Sequence, residues 1–202
     1  MKINKQKIGI IIFGFSGSGK SSIAKMLAKK LNFRVIHPSG ILRDLINNKT
    51  PRIEASKSGR GFWESPAGIK MFKDRLKAKT PIDFSCDKIL LYEFEKGGAV
   101  IDSWSLPWLT NNGIKIYLKT SLKKRIDRVA KRSKISLSTA RKVVTLKDKA
   151  TRALYLRHHN FDIAKDTKVF HLIIHTNKLT KEEVLTKALG FIREQCLTKS
   201  LK

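Results

Sequence analysis

Acidic residues are scarce in this chain: 16 Asp and Glu stand against 43 Lys and Arg in 202 residues, a formal net charge of +27. The basic residues run the whole length, so no detachable tail carries the charge. Two readings compete. One is a lysine-rich compositional bias that gives solvated cationic faces; the other is contact with RNA or another polyanion. No basic motif interleaved with aromatics appears, so the first is preferred and RNA is not called as a partner. Cysteine is limited to Cys86 and Cys196, far apart and without metal-ligand companions. That excludes a disulfide framework or zinc site and suits free thiols in a reducing cytosol. No apolar run approaches the roughly twenty residues that span a bilayer. The stretch Met1 to Lys7 is too short for a signal or transit peptide, and there is no internal repeat. The expectation is one cytoplasmic, monomeric domain over residues 1–202, with 41% hydrophobic residues to build its core.

What is present begins with Gly14-Phe15-Ser16-Gly17-Ser18-Gly19-Lys20-Ser21, which reads G-x-x-x-x-G-K-S, a phosphate-cradling loop. Its context is right. Ile8 to Phe13 is a nearly continuous apolar run, as in a buried parallel strand. Behind the loop, Ile23, Met26, Leu27 and Leu31 recur at helical spacing. Gly14, Ser16, Gly17, Ser18 and Gly19 can turn consecutive N–H groups inward as an anion-binding nest. Lys20 can reach the terminal phosphates, the Ser21 hydroxyl can ligate Mg²⁺, and Ser22 can support the α-phosphate. The pattern points to a nucleoside triphosphate with Mg²⁺ and is silent about the acceptor.

Further along, Phe33 to His37 predicts a second strand, ended by the turn signal Pro38-Ser39-Gly40 and followed by a helix from Ile41. Asn47 to Gly61 is polar and reads as a connection. Ile69 to Leu76 suggests a helical or irregular apolar patch; Ile89 to Phe94 predicts a helix closed by Gly97-Gly98. Ala99-Val100-Ile101-Asp102 predicts a strand whose acid either faces Mg²⁺ or substrate or caps the next turn. Ile114 to Leu118 and Phe170 to Ile174 are the remaining strands. Between them lie two basic helices, one opened by Thr120-Ser121 and one from about Ser136 to His159. Thr180-Lys181-Glu182-Glu183 is a capping box before the last helix. Five strands alternating with helices predict an α/β, three-layer fold on a parallel five-stranded sheet, with its ligand beyond the carboxyl ends of the strands.

With these residues in view, the chain resembles the nucleoside monophosphate kinases of the P-loop NTPase superfamily, most specifically the archaeal-type cytidylate kinase-like proteins. The resemblance runs over most of the length. It is best in Ile114 to Leu118, in Arg125-x-x-Arg128-x-x-x-Arg132, in Asp148 to Tyr155 and from Phe161 to Glu183. It implies transfer of the γ-phosphoryl of ATP to a monophosphate, CMP or dCMP, and a helical lid over about 121–160 with an acceptor region over about 39–95. It also implies that Ser39 to Arg43 is the acceptor turn, that Arg43 grips the monophosphate with Ser39 and Asp102 nearby, and that Arg132 and Arg152 close over the transferred group beside Lys20. The chain departs from the family at Ser39-Gly40, where a glycine and an acid are usual. It departs again at Ser103-Trp104, where Gly-Arg is common. Trp104 and Trp108 then either line the acceptor pocket or pack in the core. The histidines, His171, His175 and His158-His159, have no partner at metal spacing and read as structural. A kinase of another small metabolite, similar at its start to adenylylsulfate kinases, is the nearest alternative activity. A nucleotide-dependent protein that binds RNA or ribosomes is the alternative of another class.

Overall fold

The computed structural model describes residues 8–53, 61–77 and 81–200, with side chains to residue 197. Met1 to Lys7, and Gly59-Arg60 within the polar connection, lie outside the described residues. Five parallel strands form one sheet in the order β2-β3-β1-β4-β5: β1 is Gly9–Phe13, β2 Arg34–Ile36, β3 Ala99–Asp102, β4 Ile114–Lys119 and β5 Leu172–His175. Every residue of β1 is buried, which accounts for its unbroken apolar sequence: helices cover it on both faces.

Strand alternation divides the core. Ile10 and Ile12, with Ile116 and Leu118, face Ile23 and Leu27 of α1 (Lys20–Leu31) and Val184, Ala188 and Ile192 of α8 (Lys181–Ser200). Ile11, Ile36 and Ile101 face the opposite layer, against α2 (Pro38–Ile46), α3 (Pro66–Lys77) and α4 (Ile82–Glu95) through Ile41, Phe72, Leu90 and Phe94. A third cluster of Phe13, Tyr117, Leu154, Tyr155 and Ile163 closes the carboxyl end of the sheet. This is the three-layer α/β P-loop architecture that the sequence predicts.

After the one-turn α5 (Leu106–Leu109), α6 (Leu122–Ser133) and α7 (Leu137–His159) form a helical hairpin, packed through Ile126, Val129, Ala130, Ala140 and Val144. Ser121 and Ser136 cap the two helices by accepting from Lys124 N and Thr139 N. Thr180 and Glu183 exchange the two hydrogen bonds of the expected capping box. Several boundaries differ from the sequence reading: α4 begins at Ile82, a full two turns before Ile89, and β5 is Leu172–His175 where the sequence predicts Phe170 to Ile174. Pro38-Ser39-Gly40 is the first turn of α2 rather than a turn before it, because proline at the first helical position sacrifices no hydrogen bond.

Candidate active site

The loop after β1 is shaped by contacts on its outer side. Arg125 Nη1 donates to Ser16 O at 3.1 Å, and Arg128 Nη1 donates to Ser18 O at 3.1 Å. With two carbonyls held outward by arginines, the inner side of the loop is left for an anion, at the N-terminal end of α1 where the helix dipole favours negative charge. Gly17 has φ +82, and a Cβ there would lie 2.7 Å from Arg125 O. Only glycine permits both that conformation and that approach.

At the mouth of the loop, Lys20 Nζ lies 3.5 Å from Phe15 O and 4.9 Å from the centre of the Trp104 ring. Burial draws its pKa down to about 8, against the opposing pull of Asp102 and Asp148. Ser21 Oγ donates to Asp102 Oδ2 at 2.5 Å. The parallel pairing of Ile12 with Asp102 brings that carboxylate, at the end of β3, beside the loop that leaves β1. A hydroxyl and a carboxylate side by side are a hard-oxygen pair suited to Mg²⁺, which takes one or two protein oxygens and completes its shell with phosphates and water. No cluster of three or more His, Cys, Asp or Glu that could hold a metal occurs among the described residues.

From the loop a cavity of about 610 Å³ runs under α6 and α7 toward α3 and α4. Its far wall is polar and buried. Asp83 and Asp87 are one turn apart on α4, so both carboxylates face the cavity. Ser105 Oγ donates to Asp87 Oδ1 at 2.5 Å, and Tyr155 donates to Oδ2 at 3.3 Å. Burial still pushes the Asp87 pKa up to about 7. Burial also raises Asp83, chiefly opposed by Arg75. Arg75 Nε and Asp83 Oδ2 stand 3.4 Å apart in an ion pair, yet neither atom has a hydrogen-bond partner. Buried groups of this kind retain capacity for a ligand.

Between the two ends sits Glu64, in the short 3₁₀ turn Phe62–Glu64. Its Oε1 accepts from Lys147 Nζ at 2.7 Å and pairs with Arg132 Nη2 at 3.1 Å. Burial alone would raise its pKa; Lys147, with Arg132 and the Gly61 N–H, more than offsets that and holds it below the usual range.

The structure therefore brings Ser16, Gly17, Ser18, Gly19, Lys20, Ser21, Ser22, Ser39, Asp102 and Arg132 to one cavity. Gly14 lies at the loop's first bend, where a Cβ would meet Ser18 Oγ at 2.5 Å. Two expected residues are elsewhere. Arg152 is turned outward, its Nε and Nη2 bound by Asp162 at 2.7 and 2.5 Å. The face of α7 that lines the cavity is Lys147, Thr151 and Tyr155, and one residue of rotation carries Arg152 off it. Arg43 is also off the cavity wall, its guanidinium 5.3 Å from the Phe62 ring, while Ser39 and Leu42 supply the wall from α2. The two tryptophans divide: Trp104 faces the cavity, and Trp108 is stacked at 5.0 Å on Phe161 in the aromatic core. His171 Nδ1 accepts from Lys115 N at 3.0 Å, in keeping with a structural role. Sequence reasoning missed Arg75, Asp83, Asp87, Glu64 and His37. Asp83 and Asp87 stand at i and i+4, a spacing that puts them on one helix face without marking that face as buried.

Comparison with known proteins fits this geometry. The profile of the cytidylate kinase-like family matches residues 10–178. The chain belongs to the cytidylate kinase-like family. A cytidylate kinase of Sulfolobus acidocaldarius is 32% identical over 95% of this chain and 98% of its own. One of Staphylothermus marinus is 29% identical over 92% of this chain and 94% of its own. Among solved structures, a gluconokinase from Sinorhizobium meliloti superposes with a TM-score of 0.64 at 10% identity, covering 98% of both chains. A shikimate kinase from Acinetobacter baumannii in complex with shikimate gives 0.53 at 17% identity, over 98% of this chain and 97% of that one. At such identities the superpositions speak for the fold alone. Family and fold together make this protein a kinase. Among the described residues no helix is long and apolar enough to cross a membrane.

Proposed function

We propose that the protein transfers the γ-phosphoryl of ATP to a nucleoside monophosphate whose base carries an exocyclic amine beside a ring acceptor, CMP or dCMP first. Family membership supports the reaction class. The observation that carries the base is the far wall of the cavity: two buried carboxylates, Asp83 and Asp87, beside Arg75. An amino group offers two N–H donors for the two carboxylates, and the adjacent ring nitrogen and carbonyl accept from the guanidinium. Uracil presents one N–H between two acceptors and leaves a carboxylate without a donor, a desolvation cost with no return.

In this reading Gly14 to Ser22 cradle the triphosphate, and Ser21 with Asp102 would hold Mg²⁺. The ion, when bound, neutralises charge on the β- and γ-phosphates. Lys20 stabilises the same charge as a point donor. Arg132 reaches the transferred group once an acceptor phosphate competes with Glu64 for it, and Lys147 shares that task at the acceptor side. Ser39 contributes a hydroxyl at the start of α2. The cavity, covered by α6 and α7, excludes water that would otherwise take the phosphoryl. No general base is required for a loose phosphoryl transition state. A coupled steady-state assay over the eight ribo- and deoxyribonucleoside monophosphates tests this. CMP or dCMP should lead in kcat/KM, with UMP at least about tenfold behind. If no monophosphate stimulates ATP consumption, the reading is wrong.

A further inference from the structure

The end of β2 meets the end of β3 at a contact that the loop motif does not contain. Parallel pairing sets Ile36 beside Ile101, so the next residues, His37 and Asp102, also come side by side. His37 Nδ1 lies 2.7 Å from Asp102 Oδ1, while Ser21 Oγ occupies Oδ2. Both residues are buried, and His37 Nε2 has no hydrogen-bond partner. A carboxylate only accepts, so the imidazole proton in this contact sits on Nδ1.

We propose that His37 is a positioning residue of the donor site: its Nδ1–H fixes the Asp102 carboxylate so that Oδ2 is presented to Ser21 and to the Mg²⁺ of a bound nucleotide. The terminal torsion of an aspartate is soft, and a carboxylate held through one oxygen by a hydroxyl can swing about it. A second anchor on Oδ1 removes that freedom. It also keeps Oδ2 as the acceptor of the Ser21 proton, which leaves the serine lone pairs for a hard cation. His37 is well placed for the task because its backbone is fixed independently: its carbonyl accepts from Gly40 N at 3.1 Å as α2 begins. The competing explanation is packing alone, in which the imidazole merely fills space between β2 and β3.

The two explanations separate in ADP binding to the full-length protein, measured by calorimetry with excess Mg²⁺ and again with EDTA. His37→Leu keeps the volume and removes the donor. It should cut the Mg²⁺-dependent gain in affinity about tenfold while leaving metal-free affinity within about twofold, as for other residues that orient a metal ligand. His37→Asn, whose amide can donate from nearly the same place, should retain most of the gain. An unchanged gain in His37→Leu, or equal losses with and without metal, overturns the proposal in favour of packing. Wild-type protein offers a check that needs no variant. A long-range ¹H–¹⁵N spectrum should show His37 protonated on Nδ1 and shifting when Mg²⁺ joins the ADP complex; an unprotonated Nδ1, or no shift, overturns it as well. No acceptor enters these titrations, so failure of the CMP assignment leaves them untouched. Wild-type protein with no Mg²⁺ gain at all would overturn both this proposal and the donor-site assignment.

Discussion

Asp87→Asn should make the protein more stable at neutral pH and worse at its proposed task, and the size of the first effect follows from the structure. The Asp87 carboxyl is raised from 3.8 to about 7 by burial. A carboxyl whose folded pKa is raised lends stability that is complete below its unfolded pKa and lost as pH rises through the folded one. Ionising Asp87 in its buried site therefore costs about 4 kcal/mol once the pH exceeds 7, from a shift of roughly three units at 1.36 kcal/mol each. Between pH 5 and pH 8 the same linkage amounts to about 2–3 kcal/mol. Asparagine keeps an oxygen for Ser105 and offers its amide to Tyr155, so the local hydrogen bonds survive while the charge is gone. Urea denaturation at 25 °C of variant and wild type at pH 5 and pH 8 measures the difference directly. The stability gained by the variant should grow by about 2–3 kcal/mol from the lower to the higher pH. At pH 7.5 the KM for CMP should rise about tenfold or more, with the KM for ATP unchanged, because one acceptor for the base amine has become a donor. A stability difference equal at the two pH values would refute the buried-carboxylate argument, and an unchanged KM for CMP would remove Asp87 from the base site.

Further expectations concern the phosphate end. Lys20, drawn down to about 8, should be partly neutral at pH 8.5 in free protein and recharged by phosphates, so ADP binding takes up a proton there and not at pH 6.5. Calorimetry in two buffers of different ionisation enthalpy reads that uptake, and its absence at pH 8.5 contradicts the assignment. Arg132→Ala should lower kcat about a hundredfold. Arg152→Ala should leave kcat and KM near wild type, since Asp162 holds that guanidinium away from the cavity; equal losses in the two would restore Arg152 to the lid. Gly17→Ala forces a Cβ against Arg125 O at a positive φ and should weaken ADP about tenfold or more, read by the same titration, with little change in far-ultraviolet dichroism. Glu64→Gln loosens the ion pairs that hold Lys147 and Arg132 and should lower the concentration of inorganic phosphate needed to inhibit competitively against CMP.

How far the sequence carried depends on whether a feature is local. The donor loop was legible because Gly14 to Ser21 are contiguous, and strand, loop and helix repeat the same message at three levels. The sheet was legible for a related reason: Ile10 to Phe13 and Ala99 to Ile101 are apolar without alternation, and only strands covered on both faces tolerate that. The far wall is different. Arg75 comes from α3, Asp83 and Asp87 from α4, Ser105 from the stretch before α5 and Tyr155 from α7. No spacing in the chain records that these meet, and each alone reads as a solvated charge or a core aromatic. The arginines illustrate the limit from the other side. Family resemblance picked Arg43, Arg132 and Arg152, but a resemblance fixes position along a helix and not the face that the helix presents. Once Lys147 is placed in the cavity, helical periodicity brings Thr151 and Tyr155 with it and excludes Arg152.

The same reasoning bears on the four acids that line the cavity. Asp83, Asp87, Glu64 and Asp102 are all buried, and burying a carboxylate is costly unless it is paired. In a chain with 43 basic residues a surface acid would find a cation almost anywhere and add little stability. Placed inside, each does something a surface acid cannot. Asp102 joins the loop to β2 through His37, Glu64 holds two cations of the helical hairpin, and Asp83 and Asp87 give the cavity a wall that a purely apolar base pocket would lack. Sites that break the rule against buried charge are where function is expected to be stored. Three other buried acids, Asp44, Glu93 and Asp162, are each held by basic side chains away from the cavity. The remaining four line one cavity, from the loop after β1 to the face of α4, and that alignment is a stronger argument for a two-substrate site than any of the four carboxylates taken singly.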